Sequence, residues 1–356
     1  MKILHLAAGN RWTGAAAPAF AEVEALRAAG IDAHYAYVGG YKLEAKLARH
    51  EFAHPVIAKA QNPISFLKTT KALERLVALH GFEVVHAHLT YDHWLARFVA
   101  RGHPHLRIAR TFHSRRTLRN EPFTRSLLSA TDAIFVTNED LVRKPLLRDR
   151  EVTFTPPPLD VGQFSIDGPD VRSRYGISPT TPVIMAIGKV SKHRGFEAII
   201  ETFARVRTTI ADAKLLLIGH GEHRPLLEAL IRSLSIADSV IWAGYHEDDL
   251  AEHYRSSDVL LFTAAGSDEG HRAILEAMGC GVAPATWPIE GMPAILGELS
   301  ERHIAPSSTP DALAMTTVNL LRRSRTDLRV EVNGRAQVFS YGKAARRLIN
   351  AYSTAL

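Results

Sequence analysis

The stretch Asp258-Val-Leu-Leu-Phe-Thr-Ala-Ala-Gly-Ser-Asp-Glu-Gly-His-Arg-Ala-Ile-Leu-Glu-Ala-Met-Gly-Cys-Gly281 changes its pattern twice. Its first residues, Asp258 to Phe262, form a short apolar run closed by turn residues, which predicts a buried parallel strand. Gly266 to Gly270 predicts a loop. From His271 to Met278 the spacing predicts a helix with Ile274, Leu275 and Met278 on one apolar face. Asp268 then falls at the helix entrance, and Glu276 lies roughly two turns further in. Unpaired N–H groups and the helix dipole at such an entrance suit an anionic or polyhydroxylated ligand. A carboxylate held deeper needs donors, and sugar hydroxyls supply them. The same residues also fit a plain N-cap at Asp268 and a solvated Glu276.

Working outward, the same strand–helix alternation runs through the chain. In the first half, strands are predicted at Lys2–Ala7, Ile31–Val38, Glu83–His88, Leu106–Thr111, Ala133–Val136 and Val152–Phe154, with helical patterns between them. In the second half, Val183–Ile187, Lys214–Ile218, Val240–Ala243, the 258–262 strand and 281–286 repeat the scheme. Alternation of this kind predicts an α/β fold with doubly wound parallel sheets, whose ligands bind beyond the carboxyl ends of the strands. Thr155-Pro-Pro-Pro-Leu-Asp160 cannot continue a helix or a central strand, so the domain boundary is expected there. The expected domains are 1–160 and 161–338, with a terminal helix over 339–356, and the cleft between the domains is the expected place for chemistry.

Several strand-end loops carry candidate residues. Gly9 and Gly14 have the spacing of a phosphate-binding loop, but Ala15 and Ala16 stand where lysine and a hydroxyl would be needed, so a nucleotide triphosphatase is excluded. Gly14 can still bring bare backbone to a phosphate or a sugar, or simply turn the chain. Gly188-Lys-Val-Ser-Lys-His-Arg-Gly195 places Lys189, Lys192 and Arg194 after a strand, where they suit a leaving diphosphate. His86, His88 and His113 fall near strand ends, but they come from separate strands without fixed ligand spacing, and no metal is expected.

The 356 residues suffice for two cores, and 46% hydrophobic with 22% charged residues is ordinary for a globular chain. No apolar run approaches the roughly 18 residues of a membrane span. The single cysteine, Cys280, allows no internal disulfide and no Cys-rich metal site, and a cytoplasmic location is expected. The net charge of +6 is uneven: residues 1–160 carry +7 and the remainder −1. Arg101, Arg107, Arg110, Arg115, Arg116, Arg119 and Arg125 stand together with only Glu121 against them. Such a basic face suits an anionic lipid surface or a phosphorylated glycan, or serves only solubility. Nucleic acid is not expected, because no nucleic-acid-binding motif accompanies the charge.

Taken together, these segments resemble glycosyltransferase family 4, the retaining enzymes with two Rossmann-like domains known as GT-B. Gly188 to Gly195 resembles the family's G-R-L-x-x-x-K-G segment, with Lys189 and Arg194 at its two basic positions and Arg and Lys exchanged. Leu217-Ile-Gly-His-Gly-Glu222 resembles V-G-x-G-P at Gly219, and Ala243-Gly-Tyr245 resembles the F-x-G segment near the nucleotide base. The opening stretch resembles E-x7-E. Glu276 matches the second acid, which holds the ribose hydroxyls, while Asp268 replaces the usual first glutamate near the donor sugar. The resemblance further implies that the amides of Gly270, His271 and Arg272 face the donor sugar and β-phosphate. It places His113 at an active-site histidine and Gly14 at the N-terminal glycine turn, and it gives the terminal helix a return to the first domain. Pro157-Pro-Leu-Asp160 followed by Phe164 departs from the family's P-N-G-V-D and F.

The implied reaction moves a sugar from a nucleotide-diphosphate sugar to a glycan or lipid-linked acceptor of the cell-envelope type, with retention and without cofactor or metal. A peripheral position on the inner membrane face is an expectation of the basic first half. Two other functions share these features: a nucleotide-sugar epimerase or hydrolase of the same fold, and a catalytically silent nucleotide- or glycan-binding protein. A nicotinamide dehydrogenase is disfavoured, since no Gly-x-Gly-x-x-Gly follows a strand.

Overall fold

The structure, a computed structural model, describes residues 1–9, 12, 14–60, 62–264 and 271–355. Among these, two compact units are formed: 1–158 with 339–355, and 159–264 with 271–338.

The first unit is built on a parallel sheet of β1 (Lys2–Ala7), β2 (Asp32–Val38), β3 (Ala53–Ile57), β4 (Val84–Ala87), β5 (Arg107–Phe112), β6 (Ala133–Val136) and β7 (Val152–Phe154). Their order is β3-β2-β1-β4-β5-β6-β7. The two-residue period of a strand divides β1 between two cores. Ile3 and Ala7 join Phe20, Val23 and Leu26 of the Ala16–Ala28 helix and Leu348 and Tyr352 of the Tyr341–Ala355 helix. Leu4 and Leu6 join Leu73, Leu76 and Val77 of the Pro63–His80 helix and Leu95 and Val99 of the Thr90–Arg101 helix on the other face. The sheet is therefore covered on both sides, as parallel sheets require. The strand β3 was not predicted; it holds Pro55, which removes a ladder donor and is tolerated because β3 is an edge strand.

The second unit holds β8 (Val183–Ile187), β9 (Lys214–Ile218), β10 (Val240–Gly244), β11 (Val259–Phe262) and β12 (Ala283–Thr286), parallel and in the order β10-β9-β8-β11-β12. The helix Phe196–Arg207 buries Phe196, Ile199, Ile200, Phe203 and Val206, the face its apolar spacing predicts. The order reverses at β8, between β9 and β11, so the loops after these three strands emerge at a topological switch point, where such folds bind ligands.

Candidate active site

In the second unit, glycine brings the strand-end loops into backbone contact. Gly188 leaves β8 with φ 152° and Gly219 leaves β9 with φ 130°. A Cβ on Gly219 would collide with the carbonyl oxygen of Gly188, and one on Gly221 with that of Val190. The amide of Gly188 donates to the carbonyl of Ile218 over 3.0 Å, and that of Val190 to His220 over 3.0 Å. Gly195, left-handed at φ 72°, caps the Phe196–Arg207 helix and leaves no room for a side chain beside Thr263, whose hydroxyl donates to the Gly195 carbonyl over 3.1 Å. The basic loop is thus clamped between the end of β9 and the end of β11. Thr263 had no signal in the sequence, because its role depends on a contact across 68 residues.

Within this loop Lys189 is exposed and lies 3.5 Å from the exposed carboxylate of Glu222. A solvent-exposed pair of this kind contributes only about 0–1 kcal/mol, so Lys189 can exchange Glu222 for a phosphate at little cost. Arg194 sits half-buried in the turn before Gly195, and Lys192 is exposed. His193, between them, has φ 75°, a left-handed backbone that is strained for a residue with a Cβ. Past β10, the ring of Tyr245 is 63% exposed and meets His220 edge-on with 5.4 Å between centroids, an open aromatic surface above the β9 loop.

The helix that follows β11 runs from Arg272 to Gly279. Its N-cap is His271, left-handed at φ 56°, and His271 Nε2 donates to the carbonyl of Glu290 over 2.8 Å. Asp268 and Gly270, predicted at this entrance, lie outside the described residues. Glu276 is only 8% exposed, so the alternative of a solvated helix carboxylate does not hold. The Tyr254 hydroxyl donates to Glu276 Oε2 over 3.1 Å, and Arg272 Nε stands 3.4 Å from Oε1. Burial, with the neighbouring charge of Glu276, raises the Tyr254 phenol well above its usual range and keeps it a donor. These contacts offset the desolvation of a buried carboxylate and fix its direction.

The first unit, described by itself, holds its own set of groups. Gly14, with φ 62°, precedes the Ala16–Ala28 helix, and among the described residues nothing lies near its would-be Cβ; the backbone conformation calls for glycine there. Asp92 accepts from the Ala8 amide through Oδ1 and from the Leu89 amide through Oδ2, each over 2.8 Å, tying the end of β1 to the start of the Thr90–Arg101 helix. Burial pushes Asp92 up to about 7, against the lowering effect of these amides and of Arg110. His113 follows β5, and its Nε2 lies 3.0 Å from His88 Nδ1. Burial of the ring and the Arg110 charge lower His113 to about 3, so it is a neutral imidazole at physiological pH. His86 and His88 fall at the end of β4, as expected, and are fully buried together with His5 and Glu22. Arg110 also differs from the expectation of a basic surface. It is 1% exposed, lies over the Phe112 ring at 4.6 Å and donates to the Ala87 carbonyl, because its position on β5 points inward.

Residues 12–148 match the family described as Glycosyltransferase Family 4, and residues 181–323 match the one described as Glycosyl transferases group 1. The chain belongs to the family 4 glycosyltransferases. This family 4 chain is 25% identical over 191 residues to N-acetyl-alpha-D-glucosaminyl L-malate synthase of Bacillus anthracis, covering 54% of this chain and 49% of that protein. It is 25% identical over 218 residues to D-inositol 3-phosphate glycosyltransferase of Segniliparus rotundus, covering 58% and 48%. The chain spans about half the length of these curated relatives. Among solved structures, Anabaena HepE in complex with UDP aligns over 99% of this chain and 100% of that one, with a TM-score of 0.80 at 14% identity. Sucrose-phosphate synthase from Thermosynechococcus elongatus aligns over 99% and 98%, with a TM-score of 0.75 at 18% identity. Both likenesses establish the GT-B fold for this glycosyltransferase family member. The clamped basic loop, Tyr245 and Glu276 all fall inside the second family match.

Proposed function

We propose that the chain is a retaining glycosyltransferase that moves a sugar from a nucleotide-diphosphate sugar to a glycan or lipid-linked acceptor. The observation that carries this reading is Glu276: a buried carboxylate, aimed by Tyr254 and Arg272, on the helix that follows β11. In this reading Glu276 accepts from the ribose hydroxyls, and Tyr245 offers its exposed ring to the base. Lys189 and Arg194 bind the diphosphate and, with the helix N-terminus, stabilise the charge that builds on it as the glycosidic bond breaks. The transfer uses these cations in place of a divalent metal. The acceptor hydroxyl loses its proton to the leaving phosphate, and neutral His113 hydrogen-bonds the donor sugar. Asp268 fills the first-acid position of the motif.

HepE was solved with UDP and with UDP-glucose, so uridine nucleotides lead the search for a donor. The test is thermal stability in the presence of UDP, GDP, ADP and their sugars. A nucleotide at about 100 times its dissociation constant should stabilise the chain by roughly 2.7 kcal/mol. The shift should appear with one nucleotide and disappear in Glu276→Ala. No shift with any nucleotide, or an equal shift in the variant, would refute the donor site.

A lipid-linked acceptor and a cytoplasmic chain resting on the inner membrane face are part of the proposal. Among the described residues no helix is long and apolar enough to cross a membrane. Phe123, 70% exposed on the Pro122–Leu128 helix, stands close in sequence to exposed Arg115, Arg116, Arg119 and Arg125, a combination suited to anionic headgroups.

A further inference from the structure

His5 and His86 are direct partners across β1 and β4, and His88 follows His86 by two residues, so all three imidazoles lie on one face of the first sheet. Glu22, on the Ala16–Ala28 helix that covers this face, points down onto them. The four side chains are fully or almost fully buried. Glu22 Oε2 lies 3.7 Å from His5 Nδ1, 3.8 Å from His86 Nδ1 and 3.7 Å from His88 Nε2. Among the described residues, neither oxygen of this carboxyl has a hydrogen-bond partner. A buried carboxyl without partners is costly, and three imidazoles beyond hydrogen-bond reach do not relieve the cost.

We propose that His5, Glu22, His86 and His88 form a structural site for a divalent transition cation of the zinc class. One donor atom from each residue lies within 4.8 Å of the other three. Tetrahedral zinc, with bonds of about 2.0–2.1 Å, sets its ligands roughly 3.3 Å apart. The Glu22–imidazole separations need only a small contraction to reach that edge, and the 2.9 Å between His5 Nδ1 and His88 Nε2 a small expansion. Three nitrogens and one oxygen suit zinc rather than calcium or magnesium.

The surroundings already hold each ring by its other nitrogen, as metal-binding imidazoles require. His86 Nε2 meets Thr111 Oγ1 at 2.7 Å, and His88 Nδ1 meets His113 Nε2 at 3.0 Å. His5 Nε2 lies 3.4 Å from the Tyr352 hydroxyl. That hydroxyl also lies 2.6 Å from His86 Nδ1 and would be displaced from it by a cation. Burial keeps all three imidazoles neutral, and the proton shared between His5 Nδ1 and His88 Nε2 would leave when a cation binds. Arg110 is a permanent charge felt at His86 and His88, and Asp92 beside it offsets part of that charge. A cation here would pin the Ala16–Ala28 helix to β1 and β4. Through His88 it would also hold the ring of His113.

The experiment is zinc content. Protein lacking a polyhistidine tag is purified in chelator and dialysed against limiting Zn2+, and zinc per chain is measured by elemental analysis. One tightly bound zinc per chain is expected, bound more than ~100-fold more weakly by Glu22→Gln and about 10–100-fold more weakly by Thr111→Val. His34, His54 and His80 form a separate, partly exposed group, so His54→Ala should leave the tight zinc in place. Wild-type protein that takes up no zinc overturns the proposal. So does wild-type affinity in Glu22→Gln or, should that variant not fold, in Thr111→Val. Nucleotide stabilisation is read separately, so either proposal can fail alone.

Discussion

At Gly219 the backbone has φ 130°, and an added methyl would run into the Gly188 carbonyl, which belongs to the loop carrying Lys189. Alanine there must push the two loops apart or abandon the conformation, and the Gly188 amide loses its bond to Ile218 in either case. Gly219→Ala should therefore cost roughly 2–4 kcal/mol in chemical denaturation of the second unit. A cost below about 0.5 kcal/mol would show that the loops are not in contact. Glu276 illustrates how much of a site a sequence reveals. Its place on a helix, and Arg272 one turn before it, follow from spacing alone. Tyr254, the donor that directs it, comes from another helix 22 residues away, and no local pattern announces that pairing.

Among the elements, the Tyr341–Ala355 helix shows sequence order and spatial order parting company. It follows the second unit in the chain, yet its Ala345, Leu348 and Tyr352 complete the core formed by the Ala16–Ala28 helix and β1. The Ala16–Ala28 helix is buried on nearly every side, from Ala16 to Leu26, because small alanines allow it to sit between sheet and terminal helix. Leu348 has no exposed surface, so Leu348→Ala should destabilise the first unit by about 2–5 kcal/mol. Denaturation followed by a probe in each unit checks this: the midpoint of the first should fall while the second keeps its own. A loss shared equally by both, or none, would contradict the division of the chain. The strand β3 and the Arg325–Ala336 helix escaped sequence reading for different reasons. Pro55 hides the strand pattern of the former, and the latter carries few apolar residues, of which Leu328, Val332 and Ala336 are buried.

For the whole molecule, the charge balance of +7 over residues 1–160 and −1 over the rest is uneven, and Lys343, Arg346 and Arg347 of the terminal helix add to the excess of the first unit. The first unit should attach to vesicles containing anionic lipid at low salt and leave them at about 1 M salt, where the Debye length falls to roughly 3 Å. Sedimentation with anionic and neutral vesicles tests this. A protein that stays in the supernatant at low salt with both would remove the membrane from the proposed function.

The sequence by itself determined the α/β class, nearly all the strands and the glycine-marked loops, because these rest on periodicity and backbone conformation, which are local. It also carried the family motifs from Gly188 to Glu276, since these are contiguous segments. What only the tertiary structure decided were the pairings between distant segments. Thr263 closes on Gly195, Tyr254 on Glu276, and Glu22 on His5, His86 and His88. Arg110 turns from a surface charge into a buried one. The physical reason is that burial and hydrogen-bond partnership belong to the packed arrangement of strands and helices, and a residue's neighbours along the chain do not specify which side of a sheet will be covered or by what.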